Sequence, residues 1–144
     1  MGDPKMATQD YQLDEQVGYL MRLANQRHTG IFQSLVGHDL TPMQFSALLR
    51  ISEQGAVSQN KLGRLAAMDV ATVKGVVDRL RTKNLITSRA DPKDARRSLI
   101  SLTDVGEDLI DKLKISGSKI TAETLAPLDA SEQGLFLKLL KKLT

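Results

Sequence analysis

The chain contains no cysteine. That excludes disulfide frameworks, thiolate nucleophiles, thiol redox sensors and zinc sites built on cysteine. No apolar run approaches the roughly 18 residues of a membrane-spanning helix, and the N-terminus lacks the apolar core of a secretory signal. No membrane association is therefore expected, and the expected address is the cytoplasm. The chain opens Met-Gly, but Met6 stands where a myristoylation signal needs Ser or Thr. Catalytic signatures are missing as well: there is no Gly-rich phosphate loop, no His-Glu-x-x-His and no Gly-x-Ser-x-Gly. The two histidines, His28 and His38, are not spaced as two ligands on one helix face. Neither an enzyme, a cofactor nor a resident metal is expected.

What is present is the balance of a soluble globular protein. Of 144 residues, 26% are charged and 41% apolar, and the length suits a single domain. The net charge of +3 conceals an asymmetry. Between Lys61 and Arg97 ten Lys and Arg face four Asp, a net of +6, whereas the remainder carries ten basic and thirteen acidic residues, a net of −3. A basic segment between acidic flanks is the electrostatic footprint of phosphate binding. A solvated charged face would look the same, so the scaffold beneath the charge decides.

Residues 1–10 read as a polar lead-in. From Leu13, apolar or semi-apolar residues recur at 17, 20, 24, 28, 31 and 35, spacings that predict one long amphipathic helix. A stripe of that length needs a partner surface, and a second copy of the chain is the obvious one. Thr41-Pro42-Met43-Gln44 combines an N-cap, a first-position Pro and a third-position Gln, a capping box that starts the next helix. Phe45, Leu48 and Leu49 form its inner face, and Gly55 ends it. Val57 flanks Ser58, which caps a short helix carrying Leu62, Leu65 and Ala66. Asp69 caps a further helix, with Val73, Val76, Val77 and Leu80 inward and Asn84 at its left-handed end.

Two short helices joined by a tight turn match the helix-turn-helix pattern. The outward positions of the second read Ala71, Thr72, Lys74, Gly75, Asp78 and Arg79, small, hydroxyl and basic side chains that suit a major-groove reader. Strand-like runs at 85–89 and 98–102 follow, flanking a turn-forming tip over 90–97 that holds Lys93, Arg96 and Arg97. A hairpin directly after a helix-turn-helix is a wing, and its Arg side chains suit the minor groove. Thr103 caps a long helix with Val105, Leu109, Leu113 and Ile120 on its buried side. After Pro127, Asp129 and Glu132 form a near capping box for a last helix bearing Leu135, Phe136, Leu139, Leu140 and Leu143. The expected fold is mainly α with a small β-hairpin wing.

In this order of elements the chain resembles the MarR family of winged helix-turn-helix regulators, from Leu13 to the C-terminus. The most specific part is Asp91-Pro92-Lys93-Asp94-Ala95-Arg96-Arg97, followed by Leu102-Thr103-Asp104-Val105-Gly106, which is similar to the family's wing and the helix start after it. Thr72 to Leu80 is similar to its recognition helix, and Leu40-Thr41-Pro42-Met43-Gln44 to the entry of its second helix. Asn84 departs from the usual Gly, and Gly75 replaces a larger side chain on the reading face, which leaves base preference open. The resemblance implies a homodimer in which about 12–36 and 104–144 supply the dimerisation helices and about 41–103 the DNA-binding lobe. It also implies a pseudo-palindromic operator and repression released by a small ligand.

On this reading Ala71, Thr72, Lys74, Gly75 and Arg79 lie in or beside the major groove. Gln59 and Asn60 meet phosphates near a helix start. Lys93, Arg96 and Arg97 serve at the wing, and Asp94 holds it by pairing with a neighbouring Arg, since phosphate repels a carboxylate. Arg22, Gln26, Arg27 and His28, with Phe32 one turn on, form an unusual cluster on the first helix, to which Gln44 is added as a ligand candidate. Arg and His near an aromatic ring suit a carboxylate with a stacked ring, and the run's similarity to regulators of aromatic-acid breakdown implies an aromatic carboxylate or its coenzyme A thioester; a packed, hydrogen-bonded His would read alike. Two alternatives of other classes stay open: an effector-independent architectural DNA-binding protein, and a protein-interaction module, which the +6 segment disfavours.

Overall fold

The computed structural model describes Thr8 and residues 10–144. The expected lead-in over 1–10 and the reading of Met6 fall outside the described residues, apart from Thr8 and Asp10. Among the described residues no helix is long and apolar enough to cross a membrane. A 3-10 turn over Leu13–Glu15 precedes α1, Val17–Leu35. The long helix therefore starts four residues later than the apolar stripe predicts. Gln16 is extended between the two segments (ψ 136°), and no side chain caps either. Leu13 thus belongs to a separate turn.

Three consecutive residues then adopt left-handed backbone: Gly37, His38 and Asp39, with φ of 65°, 59° and 52°. Such a conformation costs an L-residue about 1–2 kcal/mol. The loop is held from outside, because Lys83 Nζ donates to the Asp39 carbonyl and to Gln44 Oε1 at 2.9 Å. Helix α2, Pro42–Gln54, opens with the expected capping box. Gln44 N donates to Thr41 Oγ1 at 3.2 Å, and Thr41 N to Gln44 Oε1 at 3.3 Å. The buried Gln44 side chain thus serves two donors with one oxygen, as a buried polar group must find partners.

Helix α3, Gln59–Leu65, and helix α4, Val70–Thr82, form the helix-turn-helix. Ala67 takes the left-handed position between them, and Met68 N donates to Gly63 O at 2.8 Å. Ser58 accepts from Lys61 N, and Asp69 from Thr72 N at 2.7 Å, the two caps expected. Val73, Val76, Val77 and Leu80 are buried against Leu48, Ile51 and Leu62. Asn84 ends α4 at φ 59°, the conformation for which Asn is the usual substitute for Gly.

The sheet has three antiparallel strands in the order β1-β3-β2: Val57–Ser58, Ile86–Asp91 and Asp94–Leu102 for β1, β2 and β3. Two features differ from the sequence reading. Val57 is not merely a flank but pairs with Ile100, burying its side chain in the core. The tip is also far tighter than the expected turn over 90–97, since only Pro92 and Lys93 lie between the strands. Arg96 and Arg97 therefore stand on β3. The register Ala90↔Ser98 changes to Asp91↔Asp94 through a bulge, which leaves Ala95, Arg96 and Arg97 on the longer side.

Helix α5, Asp104–Leu125, starts where Thr103 Oγ1 accepts from Gly106 N and donates to the Asn84 carbonyl at 2.7 Å. Leu109, Ile110, Leu113 and Ile120 are buried. Val105, expected inward, is 53% exposed; it sits in the first turn, one residue before the contact point at Gly106. Helix α6, Ala130–Lys142, has a complete Asp129/Glu132 capping box. Its Leu135, Phe136, Leu137, Leu139 and Leu140, and Leu143 at its C-cap, are all exposed.

Of the glycines among the described residues, Gly106 is the most confined. A Cβ there would lie 2.2 Å from the Leu85 carbonyl oxygen. Gly106→Ala is expected to destabilise the fold by about 2 kcal/mol, since backbone must move to admit the methyl; a Tm lowered by several degrees in thermal unfolding checks this. Asp69 gives a second prediction. Hydrogen bonds from Thr72 to its carboxylate hold its pKa below the ordinary 3.8. A lowered folded-state pKa adds stability that is present above the ordinary value and lost as pH falls through the lowered one. Asp69→Asn, which keeps an oxygen at the cap but does not titrate, is expected to reduce acid destabilisation below about pH 4, read by thermal unfolding against pH.

Candidate nucleic-acid interface and ligand cluster

The inward run of α4 fixes what faces out. With Val73, Val76, Val77 and Leu80 buried, Ala71, Lys74, Asp78 and Arg79 are exposed, and Thr72 and Gly75 half-buried. The cations of α4 differ in their commitments. Lys74 Nζ and Arg81 Nη1 both reach Asp78, at 3.3 and 3.4 Å, and Arg81 Nη2 donates to Ser88 Oγ at 2.7 Å. Arg79 folds back along the helix, so that a Cβ on Gly75 would lie 3.2 Å from its Nη1. These exposed pairs contribute little to stability, but they set where the charge rests.

Beside α4 the first turn of α3 and the wing enclose a concave notch of about 640 Å³ lined by Ser58, Gln59, Asn60, Arg64, Arg96 and Arg97. The structure thus brings Gln59 and Asn60, read as helix-start residues, together with the two wing arginines. Arg64 and Ser98 complete the notch and were not singled out from the sequence. Arg64 follows Asn60 by four residues, one helical turn, and that spacing was the available signal. On the wing Asp94 Oδ1 accepts from Arg96 N at 3.1 Å and from Arg96 Nε at 3.2 Å. The Arg96 hydrogen bonds, with the charge of Arg97 nearby, hold the Asp94 carboxyl below its ordinary pKa. Lys93, at the turn, donates its backbone N–H to Asp91 Oδ1 at 2.9 Å and leaves its ammonium to solvent.

The first-helix cluster is less uniform than its sequence suggests. Arg27 Nη1 and Nη2 donate to the carbonyls of Thr124 and Glu123 at 2.6 and 2.9 Å, a cation at the negative end of α5. His28 Nδ1 lies 2.9 Å from Thr124 Oγ1. Phe32 is buried and meets Phe45 edge to face, with ring centroids 5.6 Å apart. Gln44 is occupied by Thr41 and Lys83, as described. Arg22, Gln26 and Arg27 are all exposed; the Arg22 guanidinium lies 5.5 Å from the centre of the Tyr19 ring, within cation–π range. Among the described residues no group of His, Asp and Glu is placed to hold a metal ion.

Comparison with known proteins gives this geometry a family. The model of the MarR family matches residues 40–98, the lobe from the entry of α2 to the wing. Over 134 residues the chain is 37% identical to the HTH-type transcriptional repressor NicR of Pseudomonas putida, spanning 92% of this chain and 85% of that one. A probable transcriptional regulator from Pseudomonas aeruginosa superposes with a TM-score of 0.90 at 44% identity, covering 92% of this chain and all of that one. BpsR of Bordetella bronchiseptica, described for the regulation of its DNA binding by 6-hydroxynicotinic acid, superposes with a TM-score of 0.86 at 37% identity, over 92% and 96% of the two chains. Winged lobe, helix order and sequence agree over nearly the whole chain, which is a DNA-binding transcriptional regulator of the MarR family.

Proposed function

We propose that the protein is a homodimeric, operator-specific repressor, acting in the cytoplasm and released from DNA by a small aromatic carboxylate. The observation that carries the DNA half is the notch of Gln59, Asn60, Arg64, Arg96 and Arg97 beside the outward face of α4. It offers amides and cations to a phosphate backbone while the small side chains of Ala71 and Gly75 leave α4 room to approach base edges. Dimer formation is supported by the apolar residues that α1 and α6 leave uncovered, among them Leu20 and Met21 on α1 and Leu135, Phe136, Leu139 and Leu143 on α6. An apolar surface of that extent marks an interaction site in a soluble protein. Two copies would present two α4 helices to half-sites one helical turn apart.

The ligand half rests on His28, where α1 meets the end of α5 through Thr124, and on the exposed Arg22 earlier on α1. An exposed guanidinium and an imidazole one to two turns apart suit a carboxylate and a ring hydroxyl or nitrogen. 6-Hydroxynicotinic acid, which regulates BpsR, has that chemistry. The committed Arg27, Phe32 and Gln44 would shape the site rather than carry the ligand's charge.

Arg97→Ala is expected to weaken operator binding and to lower the slope of log affinity against log salt by about one, read by gel shift across a salt series. An unchanged affinity and slope would remove Arg97 from the interface. In footprinting, protection of one palindrome supports the repressor, whereas uniform coating of the duplex supports an architectural protein. For the ligand, titration calorimetry with 6-hydroxynicotinic acid and related aromatic acids is expected to give binding heat that Arg22→Ala abolishes. No heat and no operator release across the panel would reject the ligand class.

A further inference from the structure

Four cations lie along α4 and its C-terminal cap, and among the described residues three of them are already engaged. Lys74 and Arg81 share Asp78, and Lys83 is tied to Asp39 and Gln44. Arg79 is exposed, and no hydrogen bond or ion pair of the described residues involves its guanidinium. Its five donors are therefore free. The helical period places Ala71 and Gly75 along the middle of the outward face, opposite the buried Val73, Val77 and Leu80. Arg79 itself lies to one side of that line, with the Lys74–Asp78–Arg81 group on the other. Helical side chains lean toward the N-terminus, and here the Arg79 guanidinium comes to rest one turn back, over the bare Cα of Gly75.

We infer that Gly75 and Arg79 form one specificity-determining unit, in which the missing Cβ at position 75 seats the Arg79 guanidinium at the centre of the reading face, aimed at a guanine in each half-site. A planar fork with both terminal nitrogens unpaired matches the O6 and N7 acceptors of guanine in the major groove. Asp78, one residue away, is held by two other cations and does not compete for it. The same pair accounts for Gly in mid-helix, where it is an unfavourable residue. This inference rests on the operator-binding reading and assigns one base within it.

The test is selection of binding sites by the full chain from a randomised double-stranded DNA library, with affinities then measured on the selected duplex and its base-substituted forms. The wild-type chain is expected to enrich a palindrome with one G·C pair fixed symmetrically in each half-site. Replacing that pair is expected to weaken wild-type binding by about 5- to 150-fold. Arg79→Ala is expected to make that one position degenerate while the others persist. Gly75→Ala is expected to raise the Tm, as alanine favours helix over glycine, yet to weaken discrimination at the same base pair. In the Arg79→Ala background Gly75→Ala is expected to change discrimination no further. If Arg79→Ala selects the wild-type site unchanged, or loses affinity equally for every duplex, the guanine assignment is overturned. If Gly75→Ala keeps full discrimination, Gly75 is removed from the unit. If the wild-type chain itself enriches no palindrome, the operator-binding reading fails instead.

Discussion

The arrangement depends on a backbone contact at one junction. Gly106 lies against the Leu85 carbonyl, and Thr103 ties the same corner by bonding to Asn84 and receiving Gly106 N–H. Asn84 and Leu85 follow the end of α4, and Thr103 and Gly106 begin α5. At this corner α4 and α5 meet through main-chain atoms. Lys83 adds a second tie from the same corner to the left-handed loop between α1 and α2. The orientation of α4 against α1 and α5 is built where the lobes join.

Under the proposed ligand control, that joint would carry a binding event at the first-helix cluster to α4. Arg27 and His28 link α1 to the C-terminal end of α5, while Phe32 and Phe45 link it to α2. Gln44, adjacent to Phe45, receives Lys83 from the end of α4. A continuous run of contacts thus leads from the first-helix cluster to the end of α4. Ligand control needs only about 1–3 kcal/mol of coupling between sites, which a small change of angle at a rigid joint can supply. Rigidity near the contacts and free charge at the surface are complementary parts of such a regulator.

Much of this was legible in the sequence because capping chemistry is local. Thr41, Ser58, Asp69, Thr103 and Asp129 each accept the backbone N–H three residues on, a pattern that needs no tertiary information. The valines and leucine of α4 follow the helical period and are buried as it requires. What escaped depended on distant partners. Val57 is a strand only because Ile100 lies opposite, and two residues carry no alternation to detect. The wing turn was read as broad because Ala90, Asp91, Asp94 and Ala95 are poor strand formers; cross-strand pairing overrides them. The hydrogen-bond partners of Arg27 are carbonyls nearly a hundred residues away, which no local pattern announces. Val105 fits the helical stripe, but the junction at Gly106 turns the first helical turn toward solvent.

The wing is supported unequally along its length. At its root β3 is flanked on both sides, by β1 at Leu99 and Ile100 and by β2. Beyond Ser98 only β2 remains, and the bulge leaves Ala95, Arg96 and Arg97 without the regular ladder. A two-stranded ribbon on its own has marginal stiffness. Mechanically the wing is a cantilever, clamped at the core and increasingly compliant toward Lys93. On the proposed operator reading, its arginines would follow the local width of a groove instead of imposing one, so that the same wing would suit two half-sites that differ in sequence.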